Sequence, residues 1–250
     1  MRSALAVWRL GFAVVHLLHG TLICLVIFPF LARPKRMQRV GWWSARMLRL
    51  LGVTLRPVGA PQLTATLLVA NHISWLDILA INAVHPARFV SKADVRAWPL
   101  LGWLIECAGT LFIERERKRD ALRVVHQVAQ ALQSGDTIAV FPEGTTSDGQ
   151  GLLPFHANLL QAAIATASPV QPIALRFSDC DHRVSPAAAY VGDTSLLQSV
   201  WWIVTARGLV AHVAWLPAQM SAHLDRRALA QRLRGDIALA LDVTESREAA

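Results

Sequence analysis

Apolar and polar positions follow two rhythms along this chain. From 10 to 32 it carries no Asp, Glu, Lys or Arg, a run long enough to cross a bilayer as a helix. The next segment, VGWWSARMLRLLG, combines Trp42 and Trp43 with Arg46 and Arg49, an amphipathic helix suited to a headgroup layer. Beyond residue 50, short apolar runs of strand length take turns with helical periodicities. The predicted strands are VTLRPV, TLLVA (66–70), RFVSK (88–92), TLFIER, TIAVF (137–141), PVQPIALRF and LVAHVAWL. Pro172 inside the sixth places that strand at a sheet edge or a bulge. Helices are predicted around Trp98, Leu101 and Trp103, over 120–134, over 155–167, in LLQSVWWIVTA and over 225–241. In 120–134 the periodic residues are Leu122, Val125, Val128 and Leu132, closed by Gly135, and LLQSVWWIVTA reads as a membrane-facing helix.

Regular alternation of strand and helix predicts an α/β fold. It has a single catalytic domain with a mostly parallel central sheet flanked by helices, preceded by N-terminal membrane-associated helices. The expected division is 1–50 for the anchoring helices and 51–250 for the α/β domain. The apolar run has a competing reading as a buried core helix, and its length alone does not separate spanning a bilayer from lying in its surface.

Composition sharpens the choice of partner. The chain is 54% hydrophobic with a formal charge of +8, and it has 9 Trp against 1 Tyr. That balance favours a lipid interface over nucleic acid, for which no groove-reading motif is present. Arg2 and Arg9 precede the apolar run, and the heavier cluster Arg33, Lys35, Arg36 and Arg39 follows it. The heavier flank places the following domain on the cytoplasmic side of an inner membrane. The three cysteines, Cys24, Cys107 and Cys180, have no paired spacing, so neither a disulfide framework nor a zinc site is expected.

The stretch VANHISWLDI interrupts an apolar window with His72 and Asp77. Five residues along a helix is a rotation of about 140°, so the two share no helix face. They meet only if His72 lies in the turn before the helix, with Asn71 or Ser74 as N-cap and Asp77 reaching back. Asp77 would then fix the imidazole tautomer, and amides at the helix N-terminus would face a developing oxyanion. By spacing alone, a capped turn with an incidental histidine is the better reading.

Three further segments bear on that choice. NHISWLD matches the NHxxxxD signature of the glycerolipid acyltransferases, the 1-acylglycerol-3-phosphate acyltransferase type. GTLFIER, FPEGT and PVQPIAL resemble that family's second, third and fourth blocks, in the same order. The resemblance covers roughly residues 65–178 and implies a membrane-bound O-acyltransferase. It implies acyl transfer from acyl-CoA or acyl-acyl-carrier-protein to a lysolipid hydroxyl, with no cofactor and no metal. His72 would be the general base and Asp77 its orienting partner. Arg115, Glu143, Gly144, Thr145 and Thr146 would hold the acceptor headgroup. The acceptor implied first is 1-acyl-sn-glycerol-3-phosphate, giving phosphatidic acid. Family members acting on it often carry Arg directly after Glu-Gly-Thr. Here that position is Thr146, which keeps lyso-ornithine lipid or another lysophospholipid in play as acceptor. A non-catalytic membrane-binding module accounts for the apolar run and the charge, but not for the four blocks. A serine hydrolase lacks its GxSxG elbow.

Overall fold

The computed structural model describes residues 2–113 and 118–242. The chain opens with α1 (Arg2–Leu22), which continues through a π-helical turn at Ile23–Ile27 and a 3-10 turn at Phe28–Phe30. Pro29 ends this helical run, and Leu31 turns to extended backbone. α2 (Arg33–Leu51) follows and stops at Gly52, whose left-handed backbone favours glycine. The α/β part then runs β1 (Thr54–Val58), β2 (Leu67–Ala70), α3 (Leu76–Val84), β3 (Arg88–Lys92), α4 (Leu101–Cys107), β4 (Leu111–Ile113) and α5 (Lys118–Gln133). It closes with β5 (Ile138–Val140), α6 (Leu160–Ala165), β6 (Pro169–Ser178), α7 (Leu196–Thr205), β7 (Val210–Trp215), β8 (Gln219–Met220) and α8 (Arg226–Leu241).

The strands form one sheet in the order β1-β7-β6-β2-β5-β3-β4, with β8 paired to β6. Neighbours are parallel except where β6 meets β7 and β8. Helices cover both faces. Side chains of α1, α2, α3 and α7 share one core with Leu68, Ala70, Leu175 and Val213. Those of α5, α6 and α8 share the other with Leu67, Val69, Ile138 and Val170. Successive residues of β2 therefore point into different cores and all four are buried, which is why it reads as an unbroken apolar run.

Two expectations are corrected. β6 is an interior strand, with β2 on one side and β7 and β8 on the other. Pro172 is tolerated there because its backbone faces the changeover between those last two strands. The β8 ladder ends at Val170, the β7 ladder begins at Ile173, and the Pro172 carbonyl accepts from Leu216 N–H on that side. A carbonyl and the nitrogen of its own residue point the same way in a strand, so no ladder donor is lost. In α5 the buried stripe is Val124, Val128, Ala131 and Leu132, while Leu122 is 64% exposed. Of the expected stripe, Val128 and Leu132 are buried and Val125 packs partly buried beside them, so only Leu122 falls outside the face that α6 and the sheet cover.

The stretch Ala4–Phe30 is long and apolar enough to cross a membrane. Leu5, Val7, Trp8, Val15, Leu18 and Phe30 all lie open on its surface. Its other face is tied to the domain. His16 and Trp43 exchange ring-to-carbonyl hydrogen bonds at 3.0 and 3.1 Å, and their rings stack. Arg9 is not an outer flank of this run: it lies within α1 and donates to the Val204 carbonyl at 2.9 Å, at the C-terminal end of α7.

Candidate active site

β2 and β5 are adjacent parallel strands, and both end at the same edge of the sheet. Ligand sites in α/β proteins lie at the carboxyl ends of such strands. NHISWLD leaves β2 there, and FPEGT leaves β5, so the first and third sequence blocks meet. Asn71 fixes the exit from β2. Its side-chain amide donates to the Leu175 carbonyl at 2.9 Å and accepts from Leu175 N–H at 2.8 Å, extending the β2–β6 pairing through a side chain.

The chain then turns before α3. His72 lies outside the helix, as the five-residue spacing requires, and its Nδ1 stands 2.8 Å from Asp77 Oδ2. The same oxygen accepts from Ile73 N–H at 2.7 Å and Ser74 N–H at 2.9 Å. Neither Asn71 nor Ser74 caps the helix. The N-cap position is Trp75, with no side-chain cap, and Asp77 instead reaches back to the turn before the helix, because a fully buried carboxylate needs donors and the turn supplies them. The Ile73 and Ser74 amides are consequently spent on Asp77 and are not left for an oxyanion.

With Asp77 accepting at Nδ1, the proton is assigned there and Nε2 carries the lone pair. Nε2 has no partner among the described residues, and the ring is 19% exposed. Phe141, the first residue after β5, stacks on the imidazole at 3.9 Å between centroids and 8° between planes. Phe141 stood within FPEGT, but the sequence carried no signal for its stacking on a ring 69 positions away. The imidazole is thus held at one edge and one face, with the remaining edge open.

Glu143 is 4% exposed, beneath this turn. Its Oε1 accepts from His72 N–H at 3.4 Å, a long contact. Burial pushes its carboxyl up to about 8, and the charge of Asp77 adds to the shift; the His72 and Leu153 amides and Arg234 oppose it. It is therefore largely protonated near neutrality. Arg234, from α8, also donates to the carbonyls of Leu152 and Leu153, fixing the loop over Glu143. Gly144 turns the chain with φ of 75°, Thr145 is exposed, and Thr146 Oγ1 donates to the Tyr190 carbonyl. Ser147 N–H closes the loop onto the His72 carbonyl at 2.8 Å. β4 ends at Ile113, and Arg115 lies outside the described residues. Tyr190, Ser199 and Arg234 also support the site, and no motif in the sequence marks them.

A mostly parallel α/β domain thus carries an aspartate-held histidine at its strand ends, behind an apolar helix, an arrangement suited to acyl transfer at a lipid surface. The acyltransferase family model matches residues 57–176, and the chain belongs to that family. A lyso-ornithine lipid O-acyltransferase of Pseudomonas aeruginosa is 38% identical over 208 residues, covering 83% of this chain and 80% of its own. A 1-acyl-sn-glycerol-3-phosphate acyltransferase of Neisseria meningitidis is 38% identical over 172 residues, 68% of this chain and 67% of its own. The crystal structure of the 1-acyl-sn-glycerophosphate acyltransferase PlsC of Thermotoga maritima superposes with a TM-score of 0.73 at 19% identity, covering both chains entirely. That likeness establishes the shared fold. The protein is a lysolipid acyltransferase associated with membrane, and nothing favours the non-catalytic module.

Proposed function

We propose that this enzyme moves a fatty acyl group from an acyl thioester, acyl-CoA or acyl-acyl-carrier-protein, to the free hydroxyl of lyso-ornithine lipid. The carrying observation for the chemistry is the open Nε2 of an imidazole held by Asp77 and Phe141. Nε2 takes the acceptor's hydroxyl proton as the oxygen attacks the thioester carbonyl. The C–S bond then breaks, and the imidazolium returns the proton to the departing thiolate. Proton and charge balance, and no covalent acyl-enzyme is required, because the thioester is already activated. Asp77 stabilises the imidazolium, and buried Glu143 braces the His72 backbone. Headgroup contacts fall to the surface of Gly144–Thr146 and to Arg115.

Thr146 supports the choice of acceptor. It offers no cation where a phosphate monoester would be gripped, and its hydroxyl is engaged by the Tyr190 carbonyl. The relative matched over the larger share of this chain bears the lyso-ornithine name. A second reading, 1-acyl-sn-glycerol-3-phosphate as acceptor, is favoured by the Neisseria relative at the same identity. By the cluster Arg33–Arg39 the α/β domain faces the cytoplasm from the inner membrane. The test is acceptor-dependent thiol release by the purified full chain, with both donors, on lyso-ornithine lipid, 1-acyl-sn-glycerol-3-phosphate and lysophosphatidylcholine. Greatest kcat/KM on lyso-ornithine lipid is expected. A higher value on the phosphate monoester replaces this reading by the second, and full activity of a folded His72→Ala variant overturns the mechanism.

A further inference from the structure

The segment leading into α7, and α7 itself, join two features that lie far apart in sequence: an open apolar surface and the turn that carries His72. α7 begins at a capping box formed by Ser195 and Gln198, so its register is fixed. One face buries Ser199, Ile203 and Val204. The other exposes Leu197 (83%), Trp201 (43%) and Trp202 (41%), with no charged side chain among them. These positions recur at i, i+4 and i+5 and form one stripe. The helix packs against α1, and Arg9 of α1 donates to the Val204 carbonyl. The stripe therefore adjoins the helix whose own apolar side chains, Leu5, Trp8 and Phe12, lie open.

Three hydrogen bonds fasten this segment to the site. Tyr190 N–H donates to the Ile73 carbonyl at 3.1 Å, and Thr146 Oγ1 donates to the Tyr190 carbonyl. Trp75 Nε1 donates to Ser199 Oγ at 3.0 Å. Ser199 is fully buried, so that indole bond is shielded from water. Ile73 and Trp75 lie between His72 and Asp77 in the chain, and Thr146 belongs to the opposite loop.

We propose that Tyr190–Thr205 is a second lipid-contacting element, seated in the phospholipid surface by Leu197, Trp201 and Trp202, and that this seat positions the turn bearing His72. The occupant is a bilayer surface. The patch is continuous with the apolar face of α1, and tryptophan suits the boundary between acyl chains and headgroups. The part concerning the turn rests on the acyltransferase mechanism above; the part concerning lipid contact does not.

The experiment uses the full chain and vesicles of phosphatidylethanolamine and phosphatidylglycerol with brominated acyl chains, which quench nearby tryptophan. Removing both indoles in Trp201→Phe/Trp202→Phe is expected to lower the quenched amplitude of the emission. An unchanged quenched amplitude overturns the lipid contact. Leu197→Ser/Trp201→Ser/Trp202→Ser alters only exposed side chains. Its loss of kcat/KM on vesicle-borne acceptor is expected to exceed its loss on a monomeric short-chain acceptor by at least about tenfold, that is about 1.4 kcal/mol. Equal losses on the two acceptors overturn the coupling. Ser199→Ala, which cuts the indole tie, is expected to lower kcat on both acceptors with KM and vesicle quenching retained; an unaltered kcat overturns the positioning role. Wild-type enzyme silent on every acceptor defeats the acyltransferase reading and leaves the quenching result to decide the lipid contact alone.

Discussion

His72 Nδ1 and Asp77 Oδ2 stand 2.8 Å apart, although five residues along a helix would set them on different faces. The chain resolves this by leaving His72 in the turn and letting Asp77 reach back from the first turn of α3. One carboxylate oxygen thereby orients the imidazole and holds the turn before the helix, through Ile73 and Ser74. Imidazole orientation and the shape of the turn depend on the same atom. Asp77→Asn is therefore expected to do two kinds of harm. An amide cannot stabilise the imidazolium or hold the same tautomer, so kcat falls by about 10²–10⁴-fold. The buried amides lose a charged acceptor, at a cost of about 1–3 kcal/mol in stability. Steady-state kinetics and a urea titration measure the two separately.

Asn71 predicts a structural loss without a chemical one. Asn71→Ala leaves both the N–H and the carbonyl of Leu175 unpaired within β6, just past the end of β2. The expected cost is about 1–3 kcal/mol for each group left unsatisfied. A lowered midpoint in chemical denaturation checks it, with Asn71→Asp intermediate because it keeps the acceptor and loses the donor.

Glu143 predicts a pH slope. Its folded-state value, about 8, lies above the ordinary carboxylate value of 4.5. Between those values the folded protein holds a proton that the unfolded chain has released. The stabilising contribution is complete below about pH 4.5 and is lost as pH rises through about 8. Thermal melts from pH 5 to 9 are expected to fall more steeply for the wild type than for Glu143→Gln, whose amide does not titrate. Parallel curves refute the protonated carboxyl.

Thr146 predicts a change of preference. In Thr146→Arg the hydroxyl bond to Tyr190 is lost, and a guanidinium enters the loop beside Thr145. The ratio of kcat/KM for 1-acyl-sn-glycerol-3-phosphate over lyso-ornithine lipid is expected to rise by about tenfold, the order of one charge-assisted contact. An unmoved ratio means that this position does not read the headgroup.

Much of this was legible in the sequence, because it rests on local rules. β2, β3 and β7 follow from short apolar runs, and the place of His72 before α3 follows from helix rotation alone. The NHISWLD and FPEGT blocks were visible as strings of residue types. Pro172 misled because a proline in a strand is usually unpaired at an edge. Its harmlessness depends on β7 and β8 changing over beside it, which is a property of three strands at once. Leu122 misled because several apolar stripes fit one amphipathic helix, and only the neighbours of α5 select among them.

The sequence by itself determined the alternation of strand and helix, the apolar N-terminal run and the residue types able to move a proton. Those depend on side-chain period and chemistry within a few residues. Tertiary structure alone decided that Phe141 stacks on His72, that Glu143 is buried beneath the turn, and that Ser199 and Tyr190 tie α7 to the turn. Each joins residues some forty or more positions apart through burial and hydrogen-bond satisfaction, which exist only once the sheet has brought β2, β5 and β6 side by side.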